Sequence, residues 1–131
     1  MNSLQPCPCG GKSYASCCEP FHLGKAITLT PEKLIRSRYS AYVMELEAYL
    51  LSTWHPDTCP EEPLFQDQPS TQWVDLKIKH HSMAADQLSG TVEFVAVFKV
   101  NGKAHRIHEI SQFIKQNDRW FYVDGEFPEI K

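Results

Sequence analysis

Four of the five cysteines in this chain fall inside CPCGGKSYASCC, residues 7–18. Cys7 and Cys9 are one residue apart, Cys17 and Cys18 are adjacent, and a loop of seven residues, 10–16, joins the two pairs. Thiolates are soft donors, and four of them suit a tetrahedral divalent ion, zinc first. Gly10 and Gly11 permit a sharp turn behind Cys9 that brings N–H groups towards sulfur, while Pro6 and Pro8 hold the first pair extended. The competing states are free thiols or two strained disulfides. Bound metal would contribute about 10–16 kcal/mol to folding a segment with almost no apolar core of its own. The remaining cysteine, Cys59, lies in a Pro-rich stretch and reads as an unpaired thiol.

A second set of groups is suited to acid–base work if the fold gathers them: His55 beside Trp54, and Glu109, Ser111 and Asp124 within otherwise apolar runs. The structural alternative is that His55 caps a helix and Glu109 pairs with Arg36, Arg38 or Arg106. Sequences for nucleophile elbows, phosphate loops or paired-histidine zinc helices do not occur; His108-Glu109-Ile110-Ser111-Gln112 lacks the second histidine.

Composition narrows the class. A formal charge of −3 argues against a chain built to grip phosphate backbones, and residues 1–25 hold only Lys12 and Lys25 against Glu19, so nucleic acid is not an expected partner. The sequence has no apolar run long enough to span a bilayer, and Met1-Asn2-Ser3-Leu4-Gln5-Pro6 is not a secretory leader. A cytoplasmic, reducing setting is the expectation, where clustered thiols more often hold metal than form disulfides.

The elements that must position these groups are legible by periodicity. Thr30-Pro31-Glu32 reads as a helix start, and Ile35, Tyr39, Tyr42, Val43, Leu46, Tyr49 and Leu50 then form one apolar stripe. Pro56 sets the end of this single helix near residues 52–54. Residues 57–72, with Pro60, Pro63, Pro69 and Ser70, read as a loop. The period then changes to two. Strands are predicted over 73–81 (with Val74, Leu76 and Ile78 on one side), 91–100, 104–115 and 120–124. Asn101-Gly102 is a hairpin signal between the second and third, and Gln116-Asn117-Asp118-Arg119 a turn before the fourth.

If Asn101 and Gly102 are the two turn residues, Val100 faces Lys103, and so Phe98 faces His105, Ala96 faces Ile107, Phe94 faces Glu109 and Val92 faces Ser111. A turn at Asn117-Asp118 pairs Phe113 with Tyr122 and Ser111 with Asp124. One sheet face then carries Phe94, Phe98, Ile107, Phe113 and Tyr122, interrupted by Glu109, Ser111 and Asp124. Carboxylates on an apolar face have perturbed pKa values unless they are paired. Tyr39 and Tyr42 lie on the helix stripe with hydroxyls available to any cavity beneath. The candidate pocket is therefore Tyr39, Tyr42, Trp54, His55, Glu109, Ser111 and Asp124.

Cys-Pro-Cys-Gly, then Lys12-Ser13-Tyr14, then the terminal Cys-Cys resemble the SEC-C motif, a small zinc-binding element also found at the C-terminus of the preprotein translocase motor SecA. The usual motif has one more residue in the loop between its second and third ligands. The resemblance implies Cys7, Cys9, Cys17 and Cys18 as ligands of one structural zinc ion, with His22 as an alternative fourth ligand. "RSRYSAY" at 36–42, "YLLSTWHP" at 49–56, "HEISQF" at 108–113 and "RWFYVDG" at 119–125 together resemble the YchJ-type family of bacterial proteins. Members of that family join a SEC-C motif to a cone-shaped domain of the nuclear-transport-factor-two-like superfamily. Many carry a second SEC-C motif after the last strand, and this chain has none before Lys131.

The expected fold is thus α+β: a zinc knuckle over 1–25, then a cone over 26–131 with its helix packed on a curved antiparallel sheet. Two functions follow from the resemblance. One is an interaction module that docks on a macromolecular partner through the knuckle, as the related element in SecA serves partner contact. The other is a small-molecule binder or enzyme, with isomerase- or dehydratase-like acid–base chemistry in the cone.

Overall fold

The structure, a computed structural model, describes residues 6–11, 13–60 and 71–127. Lys12, the turn signals Pro63, Pro69 and Ser70, and the stretches 1–5 and 128–131 lie outside the described residues.

A threonine cap sets the start of the main helix. Thr30 is extended, with φ −143° and ψ 157°, and its Oγ1 accepts the Lys33 N–H at 3.2 Å. Pro31 occupies the first turn and Glu32 adds negative charge where the helix dipole favours it. A short α1 (Glu19–His22) precedes it, and α2 runs from Pro31 to Met44. Replacing Thr30 with Ala removes that cap and is expected to lower unfolding free energy by about 1 kcal/mol, read from the shift of a urea midpoint.

The single helix expected through residues 52–54 is two. Glu45 adopts the left-handed region at φ 55°, ending α2, and α3 follows over Glu47–Ser52. The reversal brings the Tyr49 hydroxyl to 2.7 Å from Ser37 Oγ and buries Leu50 completely. Packing of these side chains on α2 outweighs continued helix propensity.

The four strands are β1 (Thr71–Met83), β2 (Ser89–Val100), β3 (Lys103–Gln116) and β4 (Arg119–Glu126), antiparallel in the order β1-β2-β3-β4. Asn101 and Gly102 both have positive φ, 53° and 79°, as a two-residue primed turn requires. The β2–β3 register is the one this turn dictates, from Val100 opposite Lys103 to Val92 opposite Ser111. Phe113 also faces Tyr122. Beyond that pair a shift in register between Gln112 and Phe113 sets Asp124 opposite Gln112 and Gly125 opposite Ser111. Asp124 is exposed and stands outside the expected pocket.

A similar irregularity between Trp73 and Asp75 turns Val74 outwards, to 51% exposure, and gives Trp73, rather than Val74, the face shared with Leu76 and Ile78. Helix α2 lies across β1, β2 and β4. Between them sits a core that includes Leu34, Ile35, Tyr39, Val92, Phe94, Phe113 and Trp120. Among the described residues, no helix is long and apolar enough to cross a membrane.

Candidate functional site

The loop 10–16 returns the chain on itself. Gly10, at φ 105°, donates its N–H to the Cys7 carbonyl, and the Cys7 N–H returns to the Gly11 carbonyl at 3.1 Å. Gly11 packs so closely that a Cβ there would stand 2.6 Å from Cys17 Sγ, so the turn admits no side chain. The four sulfurs of Cys7, Cys9, Cys17 and Cys18 all lie within 4.8 Å of one another. Neighbouring separations are 3.6 Å for Cys7–Cys9, 3.4 Å for Cys9–Cys17, 3.9 Å for Cys17–Cys18 and 3.7 Å for Cys9–Cys18. A tetrahedron with metal–sulfur bonds of about 2.3 Å has edges of about 3.8 Å. The cluster therefore fits one tetrahedral ion, and none of the five cysteines is in a disulfide.

The thiols also press on one another's protonation. Hydrogen bonds from Cys18 and Cys9 hold the Cys7 thiol far below its usual range. Burial, reinforced by Cys9, pushes Cys17 up to about 12, and hydrogen bonding to Cys7 and Cys9 raises Cys18. One thiolate forms readily and its neighbours resist ionising beside it. A divalent cation relieves that conflict, because it stabilises every thiolate at once.

His22 stands apart from the sulfurs as a ligand. Its Nδ1 lies 2.6 Å from the Tyr14 hydroxyl and its Nε2 lies 2.8 Å from the Ser37 carbonyl. A carbonyl only accepts, so Nε2 carries the proton and Nδ1 accepts from Tyr14. Burial lowers the pKa of the ring, which favours this neutral form. With both nitrogens engaged, His22 fastens the knuckle to α2. Two further ties do the same: Arg36 donates to the Cys9 carbonyl at 2.9 Å, and Ser40 Oγ lies 3.4 Å from both Cys7 and Cys18 Sγ. Cys59 lies away from this cluster, with its Sγ 3.7 Å from the Pro60 carbonyl.

Between α2 and the sheet lies a partly open cavity of about 250 Å³. Tyr39 and Tyr42 reach it from α2, Trp73 from β1, Phe94 from β2, Glu109 from β3 and Tyr122 from β4. Trp54 joins them because residues 53–55 run beside β4: the His55 N–H donates to Tyr122 O and the Tyr122 N–H to Thr53 O, both at 2.8 Å. Glu109 Oε2 accepts from Ser111 Oγ at 2.6 Å and from the Tyr122 hydroxyl at 3.1 Å. Its side chain crosses the sheet over Gly125, where a Cβ would strike the carboxylate. Of the arginines considered for Glu109, Arg36 is paired instead with Glu32 at 3.0 Å. His108 points to the opposite face and pairs with Glu93 at 2.7 Å.

His55 does not reach the cavity. It is buried, with Nε2 on Gln116 Oε1 at 3.2 Å and Nδ1 accepting the Asp57 N–H at 3.1 Å, so it anchors the end of α3 to the sheet. Arg38 is the pocket group that sequence reasoning missed as such. It is 3% exposed, donates through Nη1 to Leu50 O and Thr53 Oγ1, and lies 5.1 Å and 4.8 Å over the Trp54 and Tyr122 rings. In the sequence it stands only as one of three arginines that could pair with Glu109; the tertiary turn into α3 supplies its carbonyl and hydroxyl acceptors instead.

Residues 30–125 match the family described as YchJ, middle NTF2-like domain. A UPF0225 protein of Ralstonia nicotianae is 49% identical over 130 residues, spanning 92% of this chain and 90% of that protein. A second, from Cupriavidus metallidurans, is 47% identical over 130 residues, with 95% and 90% covered. The solution structure of a SEC-C motif containing protein from Rhodopseudomonas palustris superposes with a TM-score of 0.83 at 31% identity, covering 95% of this chain and 100% of that one. The crystal structure of another, from Psychrobacter arcticus, gives 0.74 at 28% identity, covering 98% and 86%.

Proposed function

The chain belongs to the YchJ-type UPF0225 family, and from that premise we propose that it is a zinc-stapled binding protein whose N-terminal knuckle docks on a macromolecular partner in the cytoplasm. The all-thiolate donor set supports zinc, which takes such ligands without redox chemistry. The observation that carries docking is the outward side of the segment leaving the knuckle. Leu23 and Leu29 are 60% and 74% exposed, and Ile27 beside them is 38% exposed. Of the three, Ile27 also lines an open cleft of about 370 Å³, with Phe21, Trp120 and Phe121 in its walls. Trp120 Nε1 holds the Leu29 carbonyl at 3.3 Å, which keeps that backbone on the body while its side chain faces water. Exposed apolar side chains grouped this way favour protein contact. Leu23→Glu/Leu29→Glu is expected to lose the proteins that wild type retains from lysate, with metal content and circular dichroism unchanged. Identical retained sets would remove the knuckle side from recognition.

A second reading is favoured by the cavity under α2: a small-molecule binder, or an enzyme of the acid–base type, using the space around Glu109. The aromatic walls and the one carboxylate lining the cavity among the described residues, held by Ser111 and Tyr122, support it.

A further inference from the structure

The charges lining the cavity between α2 and the sheet are balanced before any ligand enters. Arg38 is almost fully buried, and three oxygens meet its guanidinium: Leu50 O, Thr53 Oγ1 and the Tyr42 hydroxyl. The Glu109 carboxylate, in the same lining, favours its charge. A ligand with net charge would therefore gain from one of these groups only by opposing the other. The aromatic faces suited to a ligand cation are also taken, because Arg38 lies 5.1 Å and 4.8 Å over the Trp54 and Tyr122 rings. The electrostatics favour a neutral guest.

Glu109 then decides what that guest must offer. Ser111 Oγ and the Tyr122 hydroxyl both donate to Oε2, which fixes the direction of the carboxylate. No described residue donates to Oε1. The one fully buried side-chain polar atom without a partner among the described residues is Trp54 Nε1, so Glu109 Oε1 keeps accessible surface while the indole nitrogen is sealed off. A guest that covers Oε1 without donating to it strips water from a charged oxygen and returns nothing. The guest must carry a donor.

The walls set its body. An apolar cavity of roughly 150 Å³ holds benzene. About 250 Å³ bordered by Tyr39, Trp73, Leu76 and Phe94 therefore takes one ring with a small substituent. Deepening the second reading above, on which it rests, we propose that the cavity binds small neutral phenols: the ring lies among Tyr39, Trp73 and Phe94, and its hydroxyl donates to Glu109 Oε1.

The test is a ¹H–¹⁵N titration of the full-length, metal-loaded protein with four probes of similar size: 4-methylphenol, 4-methylanisole, benzoate and benzylammonium. Binding is read from the amides of Ala96 and Glu109 and from the Trp73 indole. At pH 7 the phenol is neutral, as a tyrosine side chain is. It is expected to bind at least tenfold more tightly than 4-methylanisole, which keeps the ring and loses the donor, and more tightly than either ion. Glu109→Gln is expected to weaken 4-methylphenol roughly tenfold and to change 4-methylanisole by no more than about twofold. The same variant leaves Arg38 without its carboxylate, so benzoate should bind more tightly than it does to wild type. A merely damaged cavity would not produce these opposite changes. Should Glu109→Gln not fold, the ratio of phenol to anisole in wild type decides the matter.

If phenol and anisole bind wild type alike, the role of Glu109 falls while the cavity reading stands. If either ion binds more tightly than the phenol, the neutral class falls and the cavity reading again stands. If none of the four moves cavity resonances at millimolar concentration, both fall.

Discussion

Cys9→Ser is expected to strip the metal from the purified protein and unfold the knuckle while leaving the sheet in place. Cys9 Sγ lies 3.6 Å, 3.4 Å and 3.7 Å from the sulfurs of Cys7, Cys17 and Cys18, so its loss removes one of the four vertices of the tetrahedron. The knuckle contributes Cys7, Cys9, Tyr14 and Cys18 to the buried cluster, and three of these four side chains are the thiols themselves. Without metal, apolar contact cannot replace binding free energy of about 10–16 kcal/mol. Elemental analysis of wild type prepared under reducing conditions should return about one zinc per chain, and of Cys9→Ser close to none. Hydrogen exchange should show residues 6–25 losing protection while β2 and β3 keep theirs. A strong chelator acting on wild type should reproduce both results. Wild type without metal, or a Cys9→Ser protein that retains it, would refute the assignment.

The second large effect is in the body. Phe113→Ala is expected to cost about 3–5 kcal/mol, because it deletes a fully enclosed ring and leaves a space the sheet cannot close. Phe113 is 1% exposed and is the largest of the completely buried side chains. It meets Tyr122 edge to face at 5.8 Å, at the point where the β3–β4 register shifts. A domain of this size has about 5–15 kcal/mol in total, so the variant should be marginal at 37 °C. Urea unfolding at saturating metal measures this loss apart from the knuckle's contribution. A loss below about 1 kcal/mol would mean that the ring is not the keystone its burial implies.

The register of β2 on β3 was legible because one two-residue turn with two positive-φ residues fixes every pair back to Val92–Ser111. The thiol cluster was legible because its spacing is local. What escaped reading depends on insertions that leave no mark in residue type. The shifts after Trp73 and at Gln112 exchange the two faces of a strand, which moves Val74 and Asp124 to water, and neither site has the glycine that often signals a bulge. Glu45 ends α2 in a conformation that Gly or Asn more often supplies, so the stripe seemed to continue. Glu109 occupies the face that the hairpin register gives it, but the carbonyl and hydroxyl acceptors of Arg38 exist only once residues 53–55 fold back along β4.

Helix α2 faces two masters. Arg36, Ser37 and Ser40 grip the knuckle, while Ile35, Arg38, Tyr39 and Tyr42 border the cavity from adjoining positions on the same turns. Ser37 and Ser40 are as inaccessible as Leu34, so even its hydroxyl residues stand where a surface would ordinarily tolerate exchange. Divergence among descendants of this chain is therefore constrained here from both sides. A replacement that suits one neighbour must also be acceptable to the other, and innovation is freer at the strand edges than along these fourteen residues.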